Sequence, residues 1–139
     1  MAIISHTFTL STKAGTDVHD ITDRVREVVA SSGLADGMAC VFVPGSTAAI
    51  TAIEYESGVI SDLVKAIERA APQDMPYAHD ARWHDGNGHS HVRSAMIGPS
   101  FAVPFSGGQL ILGTWQQIVL LDFDNRDRNR KVIVQAVGE

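Results

Sequence analysis

Residues 89–137, HSHVRSAMIGPSFAVPFSGGQLILGTWQQIVLLDFDNRDRNRKVIVQAV, decide the fold class. Short runs rich in Val, Ile, Leu and Phe alternate there with turn-forming clusters at residues 98–99, 106–108 and 124–127. Runs of this length between tight turns are typical of neighbouring antiparallel strands. We therefore predict strands near His89–Ile97, Phe101–Phe105, Gln109–Asp122 and Lys131–Val137.

The first half of the chain adds two helices and further strands. Alternating apolar residues predict a strand over residues 4–10, and short apolar runs predict strands over 38–43 and 48–55. Apolar spacings of three and four predict one helix within residues 17–33 and a second that ends before Pro72. The polar stretch 74–88 is expected to be a long loop. The prediction is a single α+β domain over residues 1–139, with two helices packed on a large, mostly antiparallel sheet.

The composition excludes several classes of protein. The chain has 139 residues, 45% of them hydrophobic, and a net charge of −5. The negative charge gives no basic face for nucleic acid, so we expect no nucleic-acid partner. No stretch approaches the roughly 20 apolar residues that span a bilayer, and the N-terminus does not resemble a signal peptide. With Cys40 as the one cysteine, no internal disulfide is possible, and we expect a cytoplasmic protein without a membrane partner.

The polar segment at residues 85–93 carries the strongest candidates for chemistry. Asp85, Asn87, His89, His91 and Arg93 recur at a spacing of two. In an extended segment all five side chains project from one face, so His89, His91 and Asp85 are candidate ligands for one divalent metal ion, zinc or magnesium. The alternative is an ordinary polar loop that leads into a strand.

Two turns are candidate phosphate sites. The turn at Ser46 and Thr47 offers hydroxyls and backbone N–H groups, which suit a phosphate or carboxylate. The second turn contributes Arg126 and Arg128, whose guanidinium groups can bind a phosphoryl group in bidentate fashion. Each has a plainer interpretation, a self-satisfied tight turn for the first and a solvated hairpin tip for the second. Trp115, in a β-rich run, is expected in the core or in an interface.

Several motifs in the chain together carry a family resemblance. They are Asp20-Ile21-Thr22, Ser32-Gly33, Thr47-Ala48-Ala49-Ile50-Thr51 through Glu54, Tyr77-x-His79, Asp85-x-Asn87-x-His89-Ser90-His91, Gly98-Pro99-Ser100, Val103-Pro104, Gly113-Thr114-Trp115-Gln116, Arg130 and Gly138-Glu139. Over nearly its whole length the chain resembles the YjbQ-like family. The resemblance implies a homotrimer. That agrees with the expectation that two helices leave one sheet face to be buried by another subunit.

The resemblance also implies an activity and its residues. Members of the family are associated with weak thiamine-phosphate synthase activity, which joins two phosphorylated precursors with the help of a divalent cation. The matching positions make His91 and Glu54 the expected catalytic pair, with Asn87 beside the phosphate. The chain departs from the pattern at Gly45, where the family usually has histidine. Two functions therefore stay open: a transferase with weak activity on small phosphorylated molecules, or a non-catalytic homotrimer that binds metal or anions in the family pocket.

Overall fold

The computed structural model describes residues 1–139 as eight strands and four helices. In chain order they are β1 (Ala2–Thr12), β2 (Asp17–Asp20), α1 (Thr22–Ser31), β3 (Gly37–Phe42), β4 (Ala48–Ile53), α2 (Ser57–Ala70), α3 (Ala78–Trp83), α4 (Gly88–Ile97), β5 (Ser100–Ser106), β6 (Gln109–Leu110), β7 (Gln117–Asp122) and β8 (Arg128–Gly138). The predicted α+β class is confirmed. Two of the four helices were predicted; α3 lies in the expected loop 74–88, and α4 replaces an expected strand.

The strands form two antiparallel sheets. The larger has the order β1-β8-β3-β5-β6 and the smaller the order β2-β7-β4. The predicted strand over residues 109–122 is in fact two strands. A turn that begins at Gly113 separates them, and in this turn the Gln116 N–H donates to the Gly113 carbonyl (3.1 Å). β6 stays with the larger sheet, whereas β7 pairs with β4 in the smaller one. The short β2 was not predicted from the sequence.

The main core fills the space between the two sheets and α1. Alternate residues of the larger sheet point inward, and they pack against α1 and against one face of the smaller sheet. The helix contributes Val25 and Val29, neither of which has any exposed surface. Full burial of a valine or leucine side chain stabilises the fold by about 1.5–3 kcal/mol, so this cluster of 18 residues dominates the stability of the chain.

A second, smaller core lies on the opposite face of the smaller sheet. Ala49, Val119, Leu121 and Phe123 are fully buried there, beneath Ile67 of α2. Ile97, the last residue of α4, packs against the same cluster. α2 and α4 therefore cover the second face of the smaller sheet, while the outer face of the larger sheet has no helix over it.

Side-chain hydrogen bonds and packing explain why residues 88–97 are helical. As a helix, the segment buries Ser90, which donates to the Phe123 carbonyl (2.5 Å), and Ser94, which donates to the Ala48 carbonyl (2.6 Å). Residues four apart share a helical face, so His89 and Arg93 are buried together. These contacts with β4 and the end of β7 outweigh the period-two pattern on which the predicted strand rested.

No helix in the described chain is long and apolar enough to cross a membrane.

Candidate functional site

Three polar side chains converge where α3 and α4 meet. His79 lies in α3, His91 lies in α4, and Asp85 lies in the loop between them. One ligand atom from each residue lies within 4.8 Å of those of the other two. His79 Nδ1 is 3.3 Å from Asp85 Oδ1, and the centroids of the two imidazole rings are 4.3 Å apart. We call these three residues the His79–Asp85–His91 cluster.

The loop that carries Asp85 is held by specific hydrogen bonds. α3 ends at Trp83, and the next residue, His84, has a left-handed backbone (φ 57°) that turns the chain toward α4. Asn125 Nδ2 then donates to the Asp85 carbonyl (2.7 Å), and Asn87 N–H donates to Asp85 Oδ1 (3.2 Å). Gly88 N–H donates to Asp80 Oδ1 (2.8 Å). These hydrogen bonds fix the backbone of the loop, and the backbone in turn fixes the position of the Asp85 carboxylate.

The electrostatics of the cluster favour an ionised Asp85 carboxylate. Partial burial on its own raises the pKa of Asp85, but the Asn87 N–H and the two histidines lower that pKa below its usual value. His79 Nδ1 is buried and has no hydrogen-bond partner. Its nearest oxygens are those of Asp85 and, at 3.6 Å, Asp80. The cluster therefore presents an ionised carboxylate oxygen close to a buried imidazole nitrogen that makes no hydrogen bond.

His89 does not join the cluster, contrary to the sequence prediction. On a helix, residues two apart lie on nearly opposite faces, so His91 points toward His79 while His89 points inward. His89 is 3% exposed and lies near Tyr77, with ring centroids 6.4 Å apart. Burial and the charge of Arg93 lower the pKa of His89, so it is neutral at neutral pH. The observed cluster therefore has His79 where the prediction had His89.

Glu54 and His91 are not brought together. Asp85 is held by Asn125, which follows β7 at the end where Asp122 pairs with Ala48. Glu54 follows the other end of β4, is exposed, and is not part of the cluster. At about 3.3 Å per residue the two ends of β4 lie roughly 17 Å apart. Within one chain, the expected catalytic pair is therefore divided between the two ends of the smaller sheet.

The side chains expected to bind phosphate are mostly used within the protein. Thr47 is buried, and its hydroxyl donates to Asp124 Oδ2 (2.9 Å). Arg128 pairs with the same carboxylate at 3.0 Å. Asn87 is 5% exposed, and its side-chain oxygen accepts hydrogen bonds from the Ser90 hydroxyl and the Asn125 N–H. Ser46 and Arg126 are exposed.

Asp124 is the centre of this buried polar network. Burial alone raises the pKa of Asp124, but hydrogen bonds from Thr47, Arg128 and Asn87 hold that pKa below its usual value. Asn87 also contacts Ser90 and Asn125, so the network reaches from the loop of Asp85 to the turn between β7 and β8.

Sequence analysis gave no role to the bidentate ion pair between Arg130 and the buried Asp122. Arg130 Nε and Nη2 donate to the two oxygens of Asp122 at 2.6 and 2.8 Å, and Nη2 also donates to Thr47 Oγ1 (2.6 Å). Asp122 is fully buried and Thr12 donates to it as well (2.6 Å). The hydrogen bonds that Arg130 donates to Asp122 hold the pKa of Arg130 above its usual value, although burial opposes this. Arg130 was noted only as part of a family motif.

Comparison with known proteins places the chain in a family. The model of the UPF0047 protein YjbQ-like family matches residues 6–139. The chain belongs to the UPF0047 YjbQ-like family. A UPF0047 protein of Archaeoglobus fulgidus is 38% identical over 129 residues, which cover 93% of this chain and 98% of that protein. UPF0047 protein Rv2556c of Mycobacterium tuberculosis is 43% identical over 118 residues, covering 85% of this chain and 86% of the relative.

Solved structures of relatives have the same fold. A YbjQ-like protein of unknown function from Sulfolobus solfataricus superposes with a TM-score of 0.89 at 30% identity, covering 99% of this chain and 100% of its own. A hypothetical protein from Aeropyrum pernix superposes with a TM-score of 0.90 at 34% identity, covering 98% of this chain and 99% of its own. These agreements extend over the α3–α4 segment, since nearly the whole chain is covered.

The predicted thiamine-phosphate synthase activity is wrong. The family model and the curated relatives are described only as UPF0047 proteins, and the Sulfolobus relative is described as a protein of unknown function. None of these descriptions points to a transferase that acts on thiamine precursors. Membership of the YjbQ-like family is confirmed, whereas the activity that the resemblance implied is not.

Proposed function

We propose that the His79–Asp85–His91 cluster binds a divalent cation and that this site carries the function of the chain. The observation that carries the proposal is the placement of three ligand atoms within 4.8 Å of one another. Zinc–nitrogen bonds are about 2.0–2.1 Å long, so two ligands of a tetrahedral ion lie about 3.4 Å apart. Small rotamer changes are enough to bring the three atoms to that separation.

The ligand types favour zinc over magnesium. Magnesium prefers an octahedral set of oxygen ligands, whereas imidazole suits zinc and neighbouring transition metals. Two of the three residues here are histidines, and the buried Nδ1 of His79 has no competing hydrogen bond. The low pKa of Asp85 supplies the negative charge that offsets part of the charge of the ion.

Three protein ligands leave at least one coordination position for another molecule. Sites of this composition hold a water molecule or a substrate oxygen at the open position, where the ion acts as a Lewis acid. His79 and His91 are only partly buried and Asp85 is exposed, so a small ligand reaches the site from solvent. We therefore infer a site that binds and polarises an oxygen atom of a small molecule.

Zinc binding by calorimetry tests the proposal. Starting from metal-free protein, we expect one zinc ion per chain, and we expect His79→Ala to weaken binding by about 100-fold or more. Loss of a residue that merely orients a ligand already costs about 10–100-fold. His6→Ala is the matched control, because His6 is exposed on β1 and is not part of the cluster. Equal zinc affinity in wild type and His79→Ala, with both folded, would rule out the site.

We also propose that the chain forms a homotrimer through the outer face of the larger sheet. Across that face the register places Ile3, Val137, Met38 and Pro104 in one row, and Thr7, Ile133, Phe42 and Ser100 in another. The row between them consists of Ser5, Gln135, Cys40 and Ala102. None of these residues is charged, and Ile3 and Met38 are 63% and 53% exposed. A broad neutral face of this kind is typical of an interface between subunits.

The oligomeric state distinguishes this surface from an ordinary exposed sheet. Light scattering of the wild type is expected to give three times the chain mass of 14.9 kDa. Met38→Glu is expected to shift the mass toward that of a monomer, because it buries an unpaired charge in the interface. Met75→Glu, at an exposed methionine outside the sheet, should leave the mass unchanged. A monomeric wild type would refute the proposal.

A further inference from the structure

One nitrogen of Arg130 is not used by the ion pair that anchors this side chain. All hydrogen bonds of Arg130 come from Nε and Nη2, which hold both oxygens of Asp122 and the Thr47 hydroxyl. These bonds fix the plane of the guanidinium group, and the side chain is 11% exposed. The two N–H bonds of Nη1 therefore point in a fixed direction, with no partner in the protein.

Gly45 leaves space in front of that nitrogen. A Cβ atom built at position 45 would lie 3.1 Å from Arg130 Nη1, and apart from residues 44–46 no other part of the protein comes within 4 Å of it. The backbone of Gly45 has φ +139°, a conformation that residues with a side chain rarely adopt. The glycine thus keeps Arg130 Nη1 open to a ligand in a place where any other residue would cover it.

The turn after Gly45 supplies further donors and lies next to Arg130, whose Nη2 donates to the Thr47 hydroxyl. The backbone N–H groups of Gly45, Ser46 and Thr47 donate to no backbone carbonyl. Ser46 is exposed, so its hydroxyl is free to donate as well. The Thr47 hydroxyl is excluded from this role, since it already bridges Arg130 and Asp124. An anchored guanidinium nitrogen beside several free N–H groups is a typical anion-binding arrangement.

The charge around the turn is compatible with an anion. Residues 122–131 contain three aspartates and four basic residues, which leaves an excess of one positive charge. Asp122 and Asp124 are each paired with an arginine, so neither carboxylate presents unpaired charge toward Gly45. We propose that Gly45, Ser46 and Arg130 Nη1 form a binding site for the phosphate group of a small molecule, separate from the His79–Asp85–His91 cluster.

Phosphate is favoured over a carboxylate because of the number of donors. A phosphate group has three terminal oxygens when esterified, and it is matched by the two N–H bonds of Nη1 together with the turn donors. The site contains none of the proposed metal ligands, so it is expected to bind phosphate in protein treated with a chelator. Absence of phosphate binding would not contradict the proposed metal site, and absence of zinc binding would not contradict the proposed phosphate site.

Titration of the metal-free protein with inorganic phosphate tests the site by NMR. We expect the backbone amide signals of residues 45–47 to shift in a saturable way, and sodium chloride at equal ionic strength to leave them in place. Glycerol 3-phosphate, run in parallel, distinguishes a free phosphate from a phosphate ester. Tighter binding of the ester assigns the site to phosphorylated small molecules, and tighter binding of inorganic phosphate assigns it to the free ion.

Two variants sharpen the test. Gly45→Ala places a methyl group against Nη1, so we expect at least a tenfold loss of affinity for phosphate, about 1.4 kcal/mol. Ser46→Ala removes one exposed donor and should weaken binding by about threefold to tenfold, whereas Ser61→Ala, at an exposed serine of α2, should not. Because Ser46→Ala does not strain the backbone, it tests the phosphate site even if Gly45→Ala does not fold.

Four results would overturn the site. These are shifts of equal size with chloride, no shift at residues 45–47 while phosphate is added, unchanged phosphate affinity in a folded Gly45→Ala protein, and unchanged phosphate affinity in Ser46→Ala.

Discussion

Arg130→Met is expected to lower the free energy of unfolding by about 3–5 kcal/mol. Most of this loss of stability is expected to come from Asp122, the partner of Arg130, and less from the loss of the arginine itself. Asp122 is fully buried, and Arg130 supplies two of its hydrogen bonds, at 2.6 and 2.8 Å. Methionine fills much of the same volume but leaves the carboxylate in a buried position without a positive charge. The remaining hydrogen bonds, from the Thr12 hydroxyl and the Asp124 N–H, do not neutralise it.

Urea denaturation followed by circular dichroism measures this change. Arg26→Met is the matched control, because Arg26 pairs with Asp23 on the exposed face of α1 and exposed pairs contribute about 0–1 kcal/mol. The double variant Arg130→Met, Asp122→Asn should recover part of the loss, since the stranded charge is then removed. If Arg130→Met costs no more than Arg26→Met, the ion pair does not stabilise the fold.

The strands were predictable because apolar runs and turn residues are local signals. The runs that became β3, β5 and β8 lie between clusters of glycine, proline, asparagine and aspartate, and their positions follow from the sequence alone. The helix α4 was not predictable in the same way. Its polar residues recur at a spacing of two, and only the acceptors on distant carbonyls, at Phe123 and Ala48, decide in favour of a helix.

The error in α4 explains most of the errors at the site. A strand places His89 beside His91, whereas a helix turns His89 into the core and leaves His91 beside His79. Sequence spacing does not mark His79 as a ligand, because it lies six residues before Asp85 in an element that was expected to be a loop. The one available signal was its place in the Tyr77-x-His79 motif. Asp85 and His91 were predicted and do lie together.

The structural role of Gly45 could not be predicted from the sequence. From the sequence this glycine was a departure from the family pattern, because the family usually has histidine at this position. In the structure its nearest neighbour is Arg130 Nη1, and its φ of +139° disfavours histidine at this position. Conformation and contacts at a glycine are set by the fold, so neither was accessible from the residue type alone.

Phe123→Ala is the second change expected to have a large effect, at about 3–5 kcal/mol of unfolding free energy. Phe123 has no exposed surface and lies in the second core, where Ile67 of α2 and Ile97 of α4 also pack. Truncation leaves a cavity between the smaller sheet and the two helices. Phe123→Leu keeps most of the side-chain volume and should lower the free energy of unfolding considerably less. The difference between the two variants then measures the contribution of the cavity.

Zinc binding by the same variant tells whether the second core and the metal site are independent. The Ser90 hydroxyl donates to the backbone carbonyl of residue 123, a bond that Phe123→Ala retains, so the start of α4 stays attached to β7. We therefore expect folded Phe123→Ala to bind zinc within about threefold of the wild type, although it unfolds at a much lower urea concentration. His79→Ala should show the converse, with zinc affinity lost and unfolding little changed, because its Nδ1 makes no hydrogen bond in the fold. A large loss of zinc affinity in Phe123→Ala would instead show that packing beneath α4 sets the position of His91, and the metal site would then depend on the second core.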